Sequence, residues 1–348
     1  MKNFLLFFSF CIVTAGILFC FSCSSSSQSQ TRVVQDEGYV KQSPDFNADS
    51  AYFFIEKQVN FGPRVPGTDE HRACGDYLTA KLKEFGAEVI EQKADITHYN
   101  GQNIEIRNII GSYFPEKEKR ILLFAHWDTR PFSDEEKDPA KQKQPILGAD
   151  DGASGVGVLL EIARQLQQSP TDVGVDIIFF DLEDWGQPDF ADSFVAGEWW
   201  CLGSQYWSEH PHVPDYKASY GILLDMVGAA NATFLKEGLS VEKASNVVEK
   251  VWNTASKMGY GKYFIAKKYG YITDDHLYVN QHHRAPSINI INLKDTPSGF
   301  ASHWHTHSDD MRNIDPNTLK AVGQTVMEVV YKRKIVCLTS NSKHQDLL

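Results

Sequence analysis

Residues 148–184 read GADDGASGVGVLLEIARQLQQSPTDVGVDIIFFDLED, and their order decides the fold. The stretch opens on a glycine-rich loop carrying two adjacent carboxylates, Asp150 and Asp151. Val156, Leu159, Leu160, Ile162, Ala163 and Leu166 then recur at roughly helical spacing, which predicts a helix. The polar segment from Gln167 to Gly174 contains a proline and predicts a turn. Val175, Ile177, Ile178, Phe179 and Phe180 form a short apolar run, the signature of a strand buried within a parallel sheet. That strand delivers Asp181, Glu183 and Asp184 at its carboxyl end, where ligands bind in open α/β sheets. Carboxylates gathered this way repel one another unless a cation, a proton or a basic group sits among them. The unit therefore predicts a cation site.

Working outward, 348 residues suffice for one large α/β domain or two smaller ones. A hydrophobic content of 42% with 23% charged residues is that of an ordinary globular chain. The net charge of −11 leaves no basic surplus to neutralise phosphates, which argues against nucleic acid as a partner. Residues 1–22 carry one Lys and then an apolar run, the pattern of a signal peptide, with an uncleaved anchor helix over Phe4–Phe21 as the other reading. Cys23, followed by SSSSQSQ, resembles a bacterial lipoprotein cleavage site with Cys23 as the lipidated N-terminus. Residues 23–35 then act as a flexible tether, 36–338 as the folded domain and 339–348 as a frayed tail. With no acidic stretch after Cys23, the expected location is the cell envelope, lipid-anchored on the periplasmic face. Cys74, Cys201 and Cys337 remain in the mature body; an odd, widely spaced set predicts buried small side chains, though one pair could bond.

Along the chain, helices are predicted over Ser50–Val59, Asp69–Phe85, Val241–Met258 and Asn317–Tyr331, the second capped by Thr68. Strands are predicted around Glu88–Gln92, Ile104–Ile110, Ile121–Ala125, Tyr220–Leu224 and Ser287–Ile291. Trp185–Gln205 reads as a long aromatic loop, a length that usually signals function. Alternating strands and helices predict a single-domain three-layer α/β/α sandwich with a mixed, mostly parallel central sheet. The predicted strand ends present His126 and Asp128, Asp151, Glu183 and Asp184, Asp225, Asp274 and His305, each just past an apolar run. Nitrogen and oxygen ligands without cysteine suit zinc in an open catalytic site.

The ordered series HWD, GADDGASG, FFDLED, LLDM, TDDH and WHTHSDD resembles the zinc aminopeptidase superfamily, and within it the zinc-dependent (type II) glutaminyl cyclases, over residues 50 to 335. The resemblance implies one zinc per chain, held by Asp151, Asp184 and His305. It implies Glu183 as general base and acid, with Asp225 and Asp274 in an acidic network beside it. It implies Trp304 as a pocket wall, and Trp200, in preference to Trp185 or Trp199, as a second. The usual Glu-Glu pair is Glu183-Asp184 here, a ligand shorter by one methylene. The implied substrates are peptides or proteins with N-terminal Gln, and the product is pyroglutamate.

Two other functions fit the same residues. A dizinc aminopeptidase of the superfamily would use His126 and Asp225 for a second metal sharing Asp151, and both are present. A non-catalytic lipoprotein would have lost a ligand or Glu183, and neither is missing. Asp128 reads equally as a partner of a histidine or as a turn acid. His303 and His307 read as exposed loop histidines, His276 as a structural hydrogen-bonder, and the acidic run Asp134–Asp138 as a solvated loop.

Overall fold

The computed structural model describes residues 38–332 apart from positions 295 and 297. The predicted signal peptide, Cys23, the tether, Cys337 and the predicted tail lie outside the described residues. No helix among the described residues is long and apolar enough to cross a membrane.

The strands in chain order are β1 (Glu88–Thr97), β2 (Asn103–Tyr113), β3 (Arg120–His126), β4 (Gly174–Phe180), β5 (Gly221–Asp225), β6 (Phe234–Lys236), β7 (Phe264–Lys268) and β8 (Ser287–Ile291). Six of them form one sheet in the order β1-β2-β4-β3-β5-β8. β3, β4, β5 and β8 run parallel, and β2 and β1 add antiparallel at one side. The helices are α1 (Ala48–Val59), α2 (Asp69–Glu84), α3 (Ala153–Gln168), α4 (Leu202–Glu209), α5 (Gly238–Lys257), α6 (Asp275–Gln281) and α7 (Pro316–Tyr331).

Strand alternation sorts the core into two layers. Ile121, Leu123 and Ala125 of β3 and Val175, Ile177 and Phe179 of β4 pack with α1, α2, α3, α5 and α7. Leu122, Phe124, Ile178 and Phe180 face the other way, onto Trp207 of α4 and Val279 of α6. The result is the expected α/β/α sandwich with a mixed, mostly parallel sheet.

Several predicted boundaries move, each for a local reason. α1 begins two residues early because Asn47 caps it, accepting from the Ser50 amide. α5 starts at Gly238 because Glu237 accepts from the Leu239 and Ser240 amides. β1 runs on to Thr97 because its ladder with β2 is unbroken from Glu88–Ser112 to Thr97–Asn103. The predicted loop Trp185–Gln205 ends inside a helix: α4 starts at Leu202 and spans only 8 residues, too few to display helical periodicity.

Candidate active site

The carboxyl ends of the parallel strands meet at one cavity of about 360 Å³. β3 ends in His126, β5 in Asp225, and β4 leads directly to Glu183 and Asp184. Asp151 stands at the amino end of α3, Asp274 caps α6, and His305 follows β8 in a loop, with φ 52° in the left-handed region. Asp151, Asp184 and His305 are all buried, and their ligating atoms lie within 4.8 Å of one another. His305 Nε2 is 3.2 Å from Asp184 Oδ1 and 3.7 Å from Asp151 Oδ2. Asp184 Oδ2 is buried with no hydrogen-bond partner, which is costly for a carboxylate oxygen unless a cation meets it. Two carboxylates and one imidazole fit a zinc ion with an open position. His126, Asp151 and Asp225 form a second such cluster, sharing Asp151, with His126 Nε2 3.0 Å from Asp151 and 3.4 Å from Asp225.

The ligand-bearing loops are held by groups behind them. Asp128 accepts hydrogen bonds from the amides of Glu183 and Asp184 and stands 3.4 Å from His126 Nδ1, so it is a partner of the histidine and of the strand end together. Asp309 accepts from the amides of Asp150 and Asp151. Buried Arg64 donates to the carbonyls of Trp127, Leu147 and Gly148, tying that loop to the end of β3. Gly152 has to be glycine: a Cβ there would stand 2.5 Å from the His126 ring.

Residues 108–330 match Peptidase family M28. The chain belongs to that family. It is 24% identical over 292 residues to a glutaminyl-peptide cyclotransferase from Bos taurus, covering 74% of each chain. A Zn-dependent exopeptidase from Parabacteroides distasonis superposes with a TM-score of 0.82 at 58% identity, over 84% of this chain and 100% of that one. A glutaminyl cyclase from Tannerella forsythia gives a TM-score of 0.82 at 56% identity, over 84% of this chain and 100% of that one.

In this M28 chain Glu183 lies beside the three-residue cluster without belonging to it. Cys201 Sγ donates to Glu183 Oε1 at 3.0 Å, and Cys201, Glu183 and Asp274 form a group of their own. Burial raises Glu183 well above the usual carboxylate range; His126 opposes this, and Asp274, Asp184 and Asp275 add to it. Burial likewise lifts Asp225 and Asp274 to about 7, each helped by a neighbouring acid. Burial alone would lower His305, but Asp184 and Asp134 raise it to about 9. A cation bound among these groups reverses such directions by favouring the charged carboxylates and the neutral imidazole.

Aromatic side chains wall this M28 pocket. Trp304 stacks on the His305 ring at 3.8 Å between centroids, and Trp200 lies parallel to the same ring at 6.2 Å. The guanidinium of Arg130 sits 4.6 Å from the Trp200 ring. A Cβ on Gly186 would fall 1.8 Å from the Trp200 indole, so that glycine makes room for the wall. Trp185 and Trp199 sit elsewhere, against His98.

Three expectations are corrected. His303 is buried rather than exposed, paired with Asp150 Oδ2 at 3.0 Å, because Asp150 turns away from the cavity. His307 is half-buried and meets Glu136. In the acidic run Asp134–Asp138, Asp134 folds inward, where Arg130 and His305 donate to it and hold its carboxyl well below the usual range against the effect of burial. His276 is a buried hydrogen-bonder, 3.1 Å from Glu237. Asp181 leaves the site altogether, accepting from His71 and the Arg107 amide. Cys74 and Cys201 are buried free thiols.

Proposed function

We propose that this chain is a zinc-dependent glutaminyl-peptide cyclotransferase, converting N-terminal glutamine of peptides and proteins to pyroglutamate with release of ammonia. What carries the reading is the juxtaposition of Glu183 with the Asp151–Asp184–His305 cluster in a small cavity walled by Trp200 and Trp304. A single zinc would be held by Asp151, Asp184 and His305. When bound, it supplies a Lewis acid that polarises the substrate γ-carbonyl. Glu183 takes a proton from the α-amine as its nitrogen bonds to the side-chain carbonyl carbon, Cδ, then gives that proton to the amide nitrogen as its bond to Cδ breaks and ammonia departs. Burial and the neighbouring Asp274 strengthen the proton affinity of Glu183, which suits a group that must both accept and release, and Asp225 completes the acidic network beside it. Trp304 and Trp200 confine the side chain so that amine and amide stay adjacent, the proximity part of the catalysis.

The deciding experiment is to incubate a Gln-initiated peptide with the purified protein and weigh the product. Loss of one ammonia, abolished in Glu183→Gln with fold and zinc content retained, supports ring closure. The second reading is a dizinc aminopeptidase, favoured by the His126–Asp151–Asp225 cluster. Two zincs per chain with release of Leu from a Leu-initiated peptide would establish it instead. The proposal extends to location: Cys23 anchors the enzyme to the envelope through lipid, and Cys23→Ser should move it to the soluble fraction.

A further inference from the structure

We propose that Glu198, together with Tyr271, makes the pocket mouth select peptides whose residue after the N-terminal glutamine is cationic. The inference rests on the glutaminyl-cyclase reading and names its substrate class. The cavity is lined by no Lys or Arg. Its inner acids, Asp151, Asp184, Asp225 and Asp274, are buried and face imidazoles or the amides and side chains of the loops around them. Glu198 is different: it lines the same cavity yet is exposed, and among the described residues no Lys or Arg stands within ion-pair distance of it. Tyr271 lines the cavity with 70% of its surface open to solvent. The Tyr271 hydroxyl donates to Glu242 at 3.2 Å, which holds the ring in place, and Glu242 is itself paired with Lys243 at 2.7 Å. Phe300 continues the aromatic rim, with its ring 4.5 Å from Trp304.

The geometry of the reaction fixes what meets this rim. The glutamine side chain and α-amine must both reach Glu183, so the rest of the peptide leaves through the mouth. A Lys or Arg side chain at the next position finds the Glu198 carboxylate without displacing any partner, and an aromatic face on which a cation can rest. An acidic residue there meets like charge. Exposed ion pairs and cation–π contacts are each modest, so the expected preference in kcat/KM is about threefold for Gln-Lys over Gln-Ala and roughly tenfold for Gln-Lys over Gln-Glu.

The test uses the full zinc-loaded protein with three peptides that differ only in the residue after glutamine: Lys, Ala or Glu. Turnover is read by ammonia release and binding by calorimetry. The order Lys, Ala, Glu is expected in both, narrowing as ionic strength rises. Glu198→Gln should bring Lys and Glu peptides to within about twofold, and Glu198→Lys should invert the order. Both substitutions are on an exposed residue, and an unchanged melting temperature verifies the fold. Equal handling of the three peptides by the wild type, or a Lys preference that survives Glu198→Gln, overturns the inference. If no glutamine peptide is cyclised, the enzymatic reading fails by itself. The calorimetric order and its response to Glu198→Gln then still decide the charge selectivity.

Discussion

The carboxylate of Asp134 stands 3.2 Å from Nδ1 of His305, while Nε2 of the same ring faces Asp184 at 3.2 Å. One imidazole is thus gripped from both sides, and the grip settles which nitrogen points into the cavity. Arg130 secures the arrangement, since it pairs with Asp134, donates to the Asp184 carbonyl and lies over Trp200. A ligand, its orienting carboxylate and an aromatic wall are tied by one buried guanidinium.

Asp134→Asn keeps the shape of that side chain and removes its charge. Carboxylates behind a ligating histidine fix its orientation and raise its basicity, and losing one typically costs 10- to 100-fold in metal affinity. That loss is the expected result, measured as zinc transfer to a chromophoric chelator. Wild-type affinity in the variant would mean that Asp134 serves Arg130 alone.

Cys201 supplies the one side-chain donor that reaches Glu183 among the described residues. Burial, followed by the neighbouring Glu183, raises its thiol well above the ordinary range, so it stays protonated and donates. Its amide also donates to the Glu183 carbonyl at 2.9 Å, so backbone and side chain brace the same residue. A single hydrogen bond of this kind contributes about 0.5–1.5 kcal/mol, which corresponds to a fall in kcat of roughly two- to twelvefold in Cys201→Ala with KM little changed. Cys201→Ser, which keeps a donor, should recover most of it. Should Ser and Ala prove equally impaired, packing rather than the hydrogen bond would be the cause.

Glu183 has to be ionised to accept the amine proton, and its proton affinity is raised. Activity is therefore lost as pH falls through the value at which Glu183 takes up its proton. Asp274 is one of the charges that raise it. Replacing Asp274 with Asn removes a like charge, so the acid limb of kcat/KM should shift to lower pH. A limb that stays in place or moves to higher pH would show that Asp274 does not act on Glu183 by charge.

The framework of this site was legible because strands buried on both faces leave unbroken apolar runs, and the polar residues that end such runs lie at the sheet's carboxyl edge. His126, Glu183 and Asp225 follow that rule directly. What escaped was everything that depends on a side chain crossing between loops. Asp134 sits in a lysine- and glutamate-rich loop and looks solvated until Arg130 and His305 are seen to fold over it. Asp309 lies in the WHTHSDD segment and His303 immediately before it, where several polar residues compete for notice and spacing cannot say which turn inward. Cys201 had no local signal at all, because α4 is too short to reveal its own start. A buried charge that only braces others leaves no periodic trace.

Glu237 offers a prediction about stability rather than turnover. It caps α5, accepts from Ser240, and pairs with buried His276, binding helix α5 to α6. Burial opposes its ionisation, but the hydrogen bond from His276 and those from Ser240 win, holding its carboxyl down at about 2. A carboxyl depressed on folding stabilises the protein above its unfolded value, near 4.5, and that contribution is lost as pH falls toward 2. The difference corresponds to on the order of 3 kcal/mol at neutral pH. Glu237→Gln should accordingly lower the urea midpoint markedly at pH 7 and much less at pH 3, with the two proteins compared at each pH so that other carboxylates cancel. A destabilisation of the same size at both pH values would trace the effect to the loss of the helix cap, leaving no role for the charge.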